Sequence, residues 1–206
     1  FLDSPTAGLK TRVLAHMNSW GKNANVRFME SSTKSSANVR IARARDGYWS
    51  FLGTDILSIR VGEPTMNLEG FTEESSEDEF RRVVRHETGH TLGFPHEHMR
   101  KEIIARIDAE KAIEYFMRTQ GWNRQTVMQQ VLTPLSESSL IATPHADQTS
   151  IMSYQLPGSI TVDGKPVTGG VDIGVLDAEF AAKIYPLLTD PAPPPPPPPP
   201  PGPPLP

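Results

Sequence analysis

The stretch from Val84 to Glu97 constrains the fold of this chain more than any other. His86 and His90 stand four apart, so an α-helix puts both imidazoles on one face, about one turn from each other. Glu87 lies between them, placed to polarise a water on any metal the two histidines share. Gly93 lets the chain turn sharply after the helix, and the turn brings His96 in as a third nitrogen ligand. Three imidazoles with one position left open are the ligand set of a catalytic zinc ion, whereas a structural zinc takes four protein ligands. The chain therefore needs a helix that ends near Gly93 with its histidine face toward an open site.

That helix requires a core behind it. Residues 191–206 are proline apart from Ala192, Gly202 and Leu205, so the core must come from residues 1–190, enough for one domain. The tract itself reads as a stiff polyproline spacer, or as a ligand for a partner with an aromatic-lined groove. A net charge of -4 with both signs interspersed leaves no footprint for nucleic acid or a membrane surface. No apolar run is long enough to span a bilayer, and the opening residues do not read as a signal peptide. Cysteine is absent, so no disulfide holds the fold.

Along the chain, Leu9, Val13, Met17 and Trp20 recur close to a 3.6-residue period and mark an amphipathic helix over residues 6–20. His16 on that helix has no second ligand at metal spacing and reads as a surface or lightly packed residue. Short strands are expected at Val26 to Phe28, Val39 to Ala42 and Ile56 to Val61. Trp49, Phe51 and Leu52 read as a corner of the core, with stacking on substrate as the lesser alternative. Thr65, Met66, Asn67 and Leu68 form either a loop or an exposed edge strand on which an extended peptide can dock. Ser76 with Glu79 makes a capping box that starts the histidine helix, expected over residues 77–92. Further helices follow at Ala109 to Gln120, at residues 124–131, and at Val175 to Ile184 with Leu176, Phe180 and Ile184 inward. Asp172 is a cap or an anchor for the last of these. His98, two residues beyond His96, is a competing imidazole for which the ligand set has no need. His145 reads as a solvated loop residue.

Ser150 to Tyr154 is the second landmark. Met152 is suited to form an apolar floor under the three imidazoles, packing behind the ligands without binding metal. Tyr154 brings a phenol toward the same place, either as a hydrogen-bond donor to a developing oxyanion or as a ligand resting on the zinc when substrate is absent.

At these two motifs the chain resembles the metzincin zinc endopeptidases, and within them the astacin family. His86, Glu87, His90, Gly93 and His96 match the superfamily pattern, and Glu97 directly after the third histidine matches the astacin one. Ser150 to Tyr154 is similar to the Met-turn, with Tyr154 at the position of the mobile fifth ligand. Trp49 to Gly53 is similar to a shared upstream segment, and Thr65 to Leu68 falls where the substrate-binding edge strand is expected. The resemblance implies an α+β fold. A twisted mixed sheet with two long helices lies above the cleft (residues 1–93). A largely irregular lower half (residues 94–190) carries a C-terminal helix. It also implies a secreted enzyme with a Zn²⁺ cofactor, a polypeptide substrate and an inhibitory propeptide. Two features depart from the family. Its usual two disulfides have no cysteines here, and Phe1 falls almost on the first helix, so the N-terminal partner expected for Glu97 is in question.

The residues and the resemblance point to hydrolysis of internal peptide bonds, with zinc on His86, His90 and His96, Glu87 as general base and Tyr154 on the oxyanion. Arg100 and Lys101 near the cleft point loosely to acidic substrates. The alternative is a non-catalytic zinc module that recruits partners through its proline tail.

Overall fold

The computed structural model describes residues 1–136, 141 and 143–188. The proline-rich segment 191–206, and with it the expected polyproline spacer or ligand, lies outside the described residues.

Helix α1 (Ala7–Met17) starts at Thr6, whose hydroxyl accepts the Leu9 N–H at 3.1 Å and so satisfies one of the free donors of the first turn. Its stripe of Leu9, Val13 and Met17 is buried, and a 3₁₀ turn, Asn18–Lys22, carries Trp20 into the interior. The histidine helix runs through three consecutive parts: α2 (Glu77–Glu79), a π-helical segment Phe80–Val84, and α3 (Arg85–Thr91). The expected capping box is present, with Glu79 N–H on the Ser76 hydroxyl and Ser76 N–H on the Glu79 carboxylate, both at 3.2 Å. Leu9, Val13 and Met17 meet Phe71, Phe80, Val83 and Val84 in one core, so both long helices rest on the same apolar surface.

Three strands, β1 (Ile41–Ala42), β2 (Tyr48–Ser50) and β3 (Met66–Leu68), form a mixed sheet in the order β1-β3-β2. β3 runs parallel to β1 and antiparallel to β2. This order overturns the edge-strand expectation for Thr65, Met66, Asn67 and Leu68, which are at most 1% exposed. Both sides of that segment are taken. Thr65 N–H bonds the Arg40 carbonyl at 2.8 Å, and its own carbonyl receives the Phe51 N–H at 3.0 Å. The Asn67 amide reaches the backbone of Ala44 and Gly47. β1 and β2 are the two edges; Leu2 N–H bonds the Ile41 carbonyl on β1, while no described strand lies against the outer side of β2.

Two other expected strands are absent from the described residues. At Phe28 the side chain of Asn18 stands in for a neighbouring strand, accepting the Phe28 N–H at 2.8 Å and donating to its carbonyl at 3.0 Å. Residues 53–58 wind instead into a 3₁₀ turn, Gly53–Ser58. Beyond it, buried Arg40 collects the carbonyls of Ile59, Arg60 and Glu63, which curls that backbone around a guanidinium and keeps it out of a ladder.

In the other half, α4 (Lys101–Ile104), α5 (Ala109–Gln120) and α6 (Arg124–Val127) pack around Ile113, Phe116, Val127, Leu156 and Val167. α5 ends as expected at Gly121, whose φ of 68° suits a residue without a Cβ. α6 continues into a π-helical segment, Met128–Leu132. A third cluster, including Trp20, Leu92, Phe94, Ile151, Met152 and Ala181, joins the two halves. On α7 (Val175–Ile184), Phe180 and Ile184 pack against that cluster as expected, whereas Leu176 is 49% exposed and Ala181 is buried in its place. The cause is Asp177, whose carboxylate turns inward and fixes the rotation of the helix.

Candidate active site

The site is assembled where α3, the turn after it and the 150–154 turn meet. On α3, His86 and His90 project from one face, their rings 4.7 Å apart. Gly93 has a φ of 93°, which a side chain would resist, and the reversal there carries the chain to His96. His96 Nε2 then lies 3.3 Å from His86 Nε2 and 3.1 Å from His90 Nε2. The other ring nitrogens point to backbone carbonyls: His86 Nδ1 to Ile151 at 2.6 Å and His90 Nδ1 to Phe94 at 2.8 Å. A nitrogen facing a carbonyl must carry the proton, so the Nε2 lone pairs of His86 and His90 face the third imidazole without one. Burial lowers the pKa of all three rings, to about 4 for His86 and about 3 for His90. Three neutral imidazoles with nitrogens gathered this closely suit a cation, and among the described residues theirs is the one group of such ligands close enough to share a metal ion.

Glu87 stands beside them, 5% exposed, and its Oε2 has no hydrogen-bond partner. Burial raises its pKa to about 8, against the opposing charge of Arg82. Tyr154 presents its ring 4.4 Å from that of His96, with a pKa raised by burial and then by the charge of Glu87. Met152 packs against α3 at Gly89. A Cβ built on Gly89 would come within 2.4 Å of the Met152 sulfur, so the thioether fills the space that this glycine leaves. The turn around Met152 is tied to the residue after His96 by Glu97 N–H on the Met152 carbonyl, at 2.9 Å.

Glu97 uses its carboxylate within the lower half, accepting Asp147 N–H at 3.0 Å and Arg100 at 3.4 Å. The N-terminal segment lies in the upper half, where Leu2 N–H bonds Ile41. His98 is not one of the metal-directed imidazoles. His16 is buried, stacked on Phe80 and 3.3 Å from Glu77, because the histidine helix covers it; the surface expectation fails. Asp172 is an anchor and not a cap, since it pairs with Arg85 and Arg81. Exposed His145 meets Glu102.

A cleft of about 340 Å³ opens over His90 and His96, with Glu87 and Tyr154 in its lining. Its upper wall is β2 and the residues after it, Tyr48, Trp49, Ser50 and Leu52. Trp49 and Leu52 thus face the site, and Phe51 and Leu52 are each 38% exposed, which corrects their assignment to a core corner. Trp49 lies on β2 and Phe51 and Leu52 follow it, and among the described residues no strand covers the outer side of β2. The lower wall includes Met99, Gln129 and Gln130. Arg100 is absent from the cleft: it is buried, with its guanidinium on Glu97 and Thr143. Sequence reasoning missed Gly89, Asp177 and the wall glutamines. A glycine inside a helix pattern was the one available signal, because it costs about 1 kcal/mol against alanine unless packing needs it.

An α+β chain with this helix, this turn and a methionine packed against the helix has the metzincin-like fold of a class of metalloproteases. Within that class the chain belongs to the astacin family of peptidases, whose family model, Astacin, matches residues 2–160. A structure of myroilysin is similar at a TM-score of 0.82 with 29% identity, covering 91% of each chain. A crystal structure of myroilysin matches at 0.66 and 28% identity, over 90% of this chain and 81% of the other. The hatching-enzyme zinc protease HCE-1 of the medaka fish Oryzias latipes matches at 0.57 over 87% of this chain and 84% of its own. At 19% identity that last likeness speaks for the fold alone. No curated protein sequence matches.

Proposed function

We propose that residues 1–190 are the catalytic domain of a zinc-dependent endopeptidase, with the cleft between residues 1–93 and 94–190 as its substrate path. The observation that carries this reading is the unpartnered carboxylate oxygen of Glu87 beside three converging imidazoles. A structural metal site has no use for such an oxygen, and a buried one is costly to keep. Zinc held by His86, His90 and His96 supplies Lewis-acid polarisation of the scissile carbonyl and acidifies water. Glu87 takes the proton of the attacking water and passes it to the leaving amine, and a proton affinity raised by burial suits both transfers near neutral pH. Tyr154 keeps its phenolic proton, since its pKa is raised, and donates it in a hydrogen bond to the oxyanion. An extended substrate pairs with the free edge of β2, which replaces Thr65 to Leu68 in that role. Family membership also supports export from the cell.

The test is Glu87→Gln on a mixed peptide library. The parent should cleave, a chelator should abolish cleavage, and zinc should restore it. Glu87→Gln should retain zinc and lose at least about 10²-fold in kcat. Cleavage by that variant at the parental rate would exclude the assignment. A parent that binds zinc and cleaves nothing would favour the non-catalytic binding module.

A further inference from the structure

His98 is a buried ring that the mechanism above leaves without a task. It sits in the 3₁₀ turn Glu97–Met99 with 0% of its surface exposed. Both ring nitrogens are engaged, and neither goes to the metal site. Nε2–H donates to the Gln130 carbonyl at 3.1 Å, and Nδ1 accepts the Tyr154 backbone N–H at 3.3 Å. One nitrogen donating and the other accepting fixes a single tautomer and ring orientation. The ring so fixed stacks on that of Tyr154, with centroids 4.3 Å apart and planes 17° from parallel. On its other flank it lies 4.9 Å from the His96 ring. Tyr154 is therefore held by one residue in two ways, at its backbone N–H and on its ring face. Gln130, the second partner of His98, lies on the lower wall of the cleft.

We infer that His98 is a positioning residue for Tyr154. It sets the backbone from which the phenol is aimed, supports the ring in that aim, and ties both to the cleft wall through Gln130. The inference rests on the peptidase reading, in which Tyr154 serves the oxyanion. Oxyanion donors act only at hydrogen-bond distance, and a shift of about 1 Å in a reacting group is enough to cost about 10²-fold. The competing account is a histidine that merely fills and satisfies the core. That account predicts a loss of stability with no special relation to Tyr154.

A double-mutant cycle separates the two. His98→Phe keeps an aromatic ring and removes both hydrogen bonds. It should lower kcat by about 10- to 100-fold with KM within about twofold. In the Y154F background the same substitution should change kcat by less than about twofold, because the group it positions is already gone. Equal losses in both backgrounds, or unchanged kcat in the first, would overturn the inference. If H98F does not melt cooperatively, His98→Gln, which keeps a donor and an acceptor, goes through the same cycle under the same criteria. A second readout needs neither turnover nor metal. Deuterium exchange at the Tyr154 amide should quicken by about tenfold in the variant that folds, and unchanged exchange there would count against the inference. A parent with no turnover would sink the peptidase reading and leave the exchange measurement to decide this one.

Discussion

Asp177 and His86 are joined through a single residue: Asp177 Oδ2 accepts the Ile151 N–H at 3.0 Å, and the Ile151 carbonyl faces His86 Nδ1 at 2.6 Å. The same carboxylate accepts the Ser150 hydroxyl and the N–H of Gly174 at the start of α7. One side chain on the last helix thereby holds the carbonyl that orients a metal-directed imidazole.

Asp177→Ala leaves three donors without their acceptor and frees Ile151 to move. Groups that orient metal ligands from behind typically contribute about 10- to 100-fold in metal affinity. Zinc competition with a chelator should show a loss in that range. Parental affinity with a lowered melting point would assign Asp177 to capping α7 alone.

Gly89→Ala sets two effects against each other. Alanine favours a helix interior by about 1 kcal/mol. Its Cβ would stand 2.4 Å from the Met152 sulfur and 3.1 Å from Trp20 Cζ2, and overpacking of this kind costs about 1–3 kcal/mol. Packing should win, because Met152 and Trp20 are both buried and have little room to retreat. The denaturation midpoint should fall; a rise would show that the thioether moves freely.

Acid should destabilise the metal-free chain through its buried histidines. His98 has a pKa of about 4 when folded, lowered chiefly by burial from an ordinary 6.5, and His86 behaves alike. Between those values the unfolded chain binds protons that the folded chain refuses, so falling pH favours unfolding. Above 6.5 these rings are neutral in both states and contribute no pH dependence. Urea midpoints should drop between about pH 6.5 and 4, and a flat profile there would contradict the burial of these rings.

Among the described residues, the lining of the cleft includes no Lys or Arg. Cleavage-site profiling should therefore show no enrichment of aspartate or glutamate at the position facing Gln129 and Gln130. Gln129→Lys should introduce one, by about fivefold, the equivalent of an exposed ion pair of about 1 kcal/mol. A strong acidic preference in the parent would mean that another cation reaches the substrate.

The parts legible in the sequence are those governed by local spacing. His86 and His90 at i and i+4, the Ser76–Glu79 box and the stop at Gly121 depend on neighbours within a turn or two. What stayed hidden depends on distant partners. Which strand is central was settled by Arg40, Phe51 and Asn67, and the Phe28 strand was displaced by a side chain ten residues back. The inward face of α7 follows from an acidic residue that periodicity assigns to solvent. His98 lies outside the three-imidazole cluster, and its partners Gln130 and Tyr154 are 32 and 56 residues away.

The π-helical segment Phe80–Val84 separates the capping box from the histidines. Its i→i+5 bonding winds the helix more loosely than the α-helices on either side. The chain there behaves as if it held one residue more than regular winding can accommodate. Removing one residue between 80 and 84 would let the winding become uniform. It would also turn the imidazole face by about 100° relative to the acidic cap, given about 3.6 residues per turn. The rotational phase of the three imidazoles is thus encoded by residue count upstream of them, and a one-residue deletion there would misdirect the site while leaving every functional side chain in the sequence.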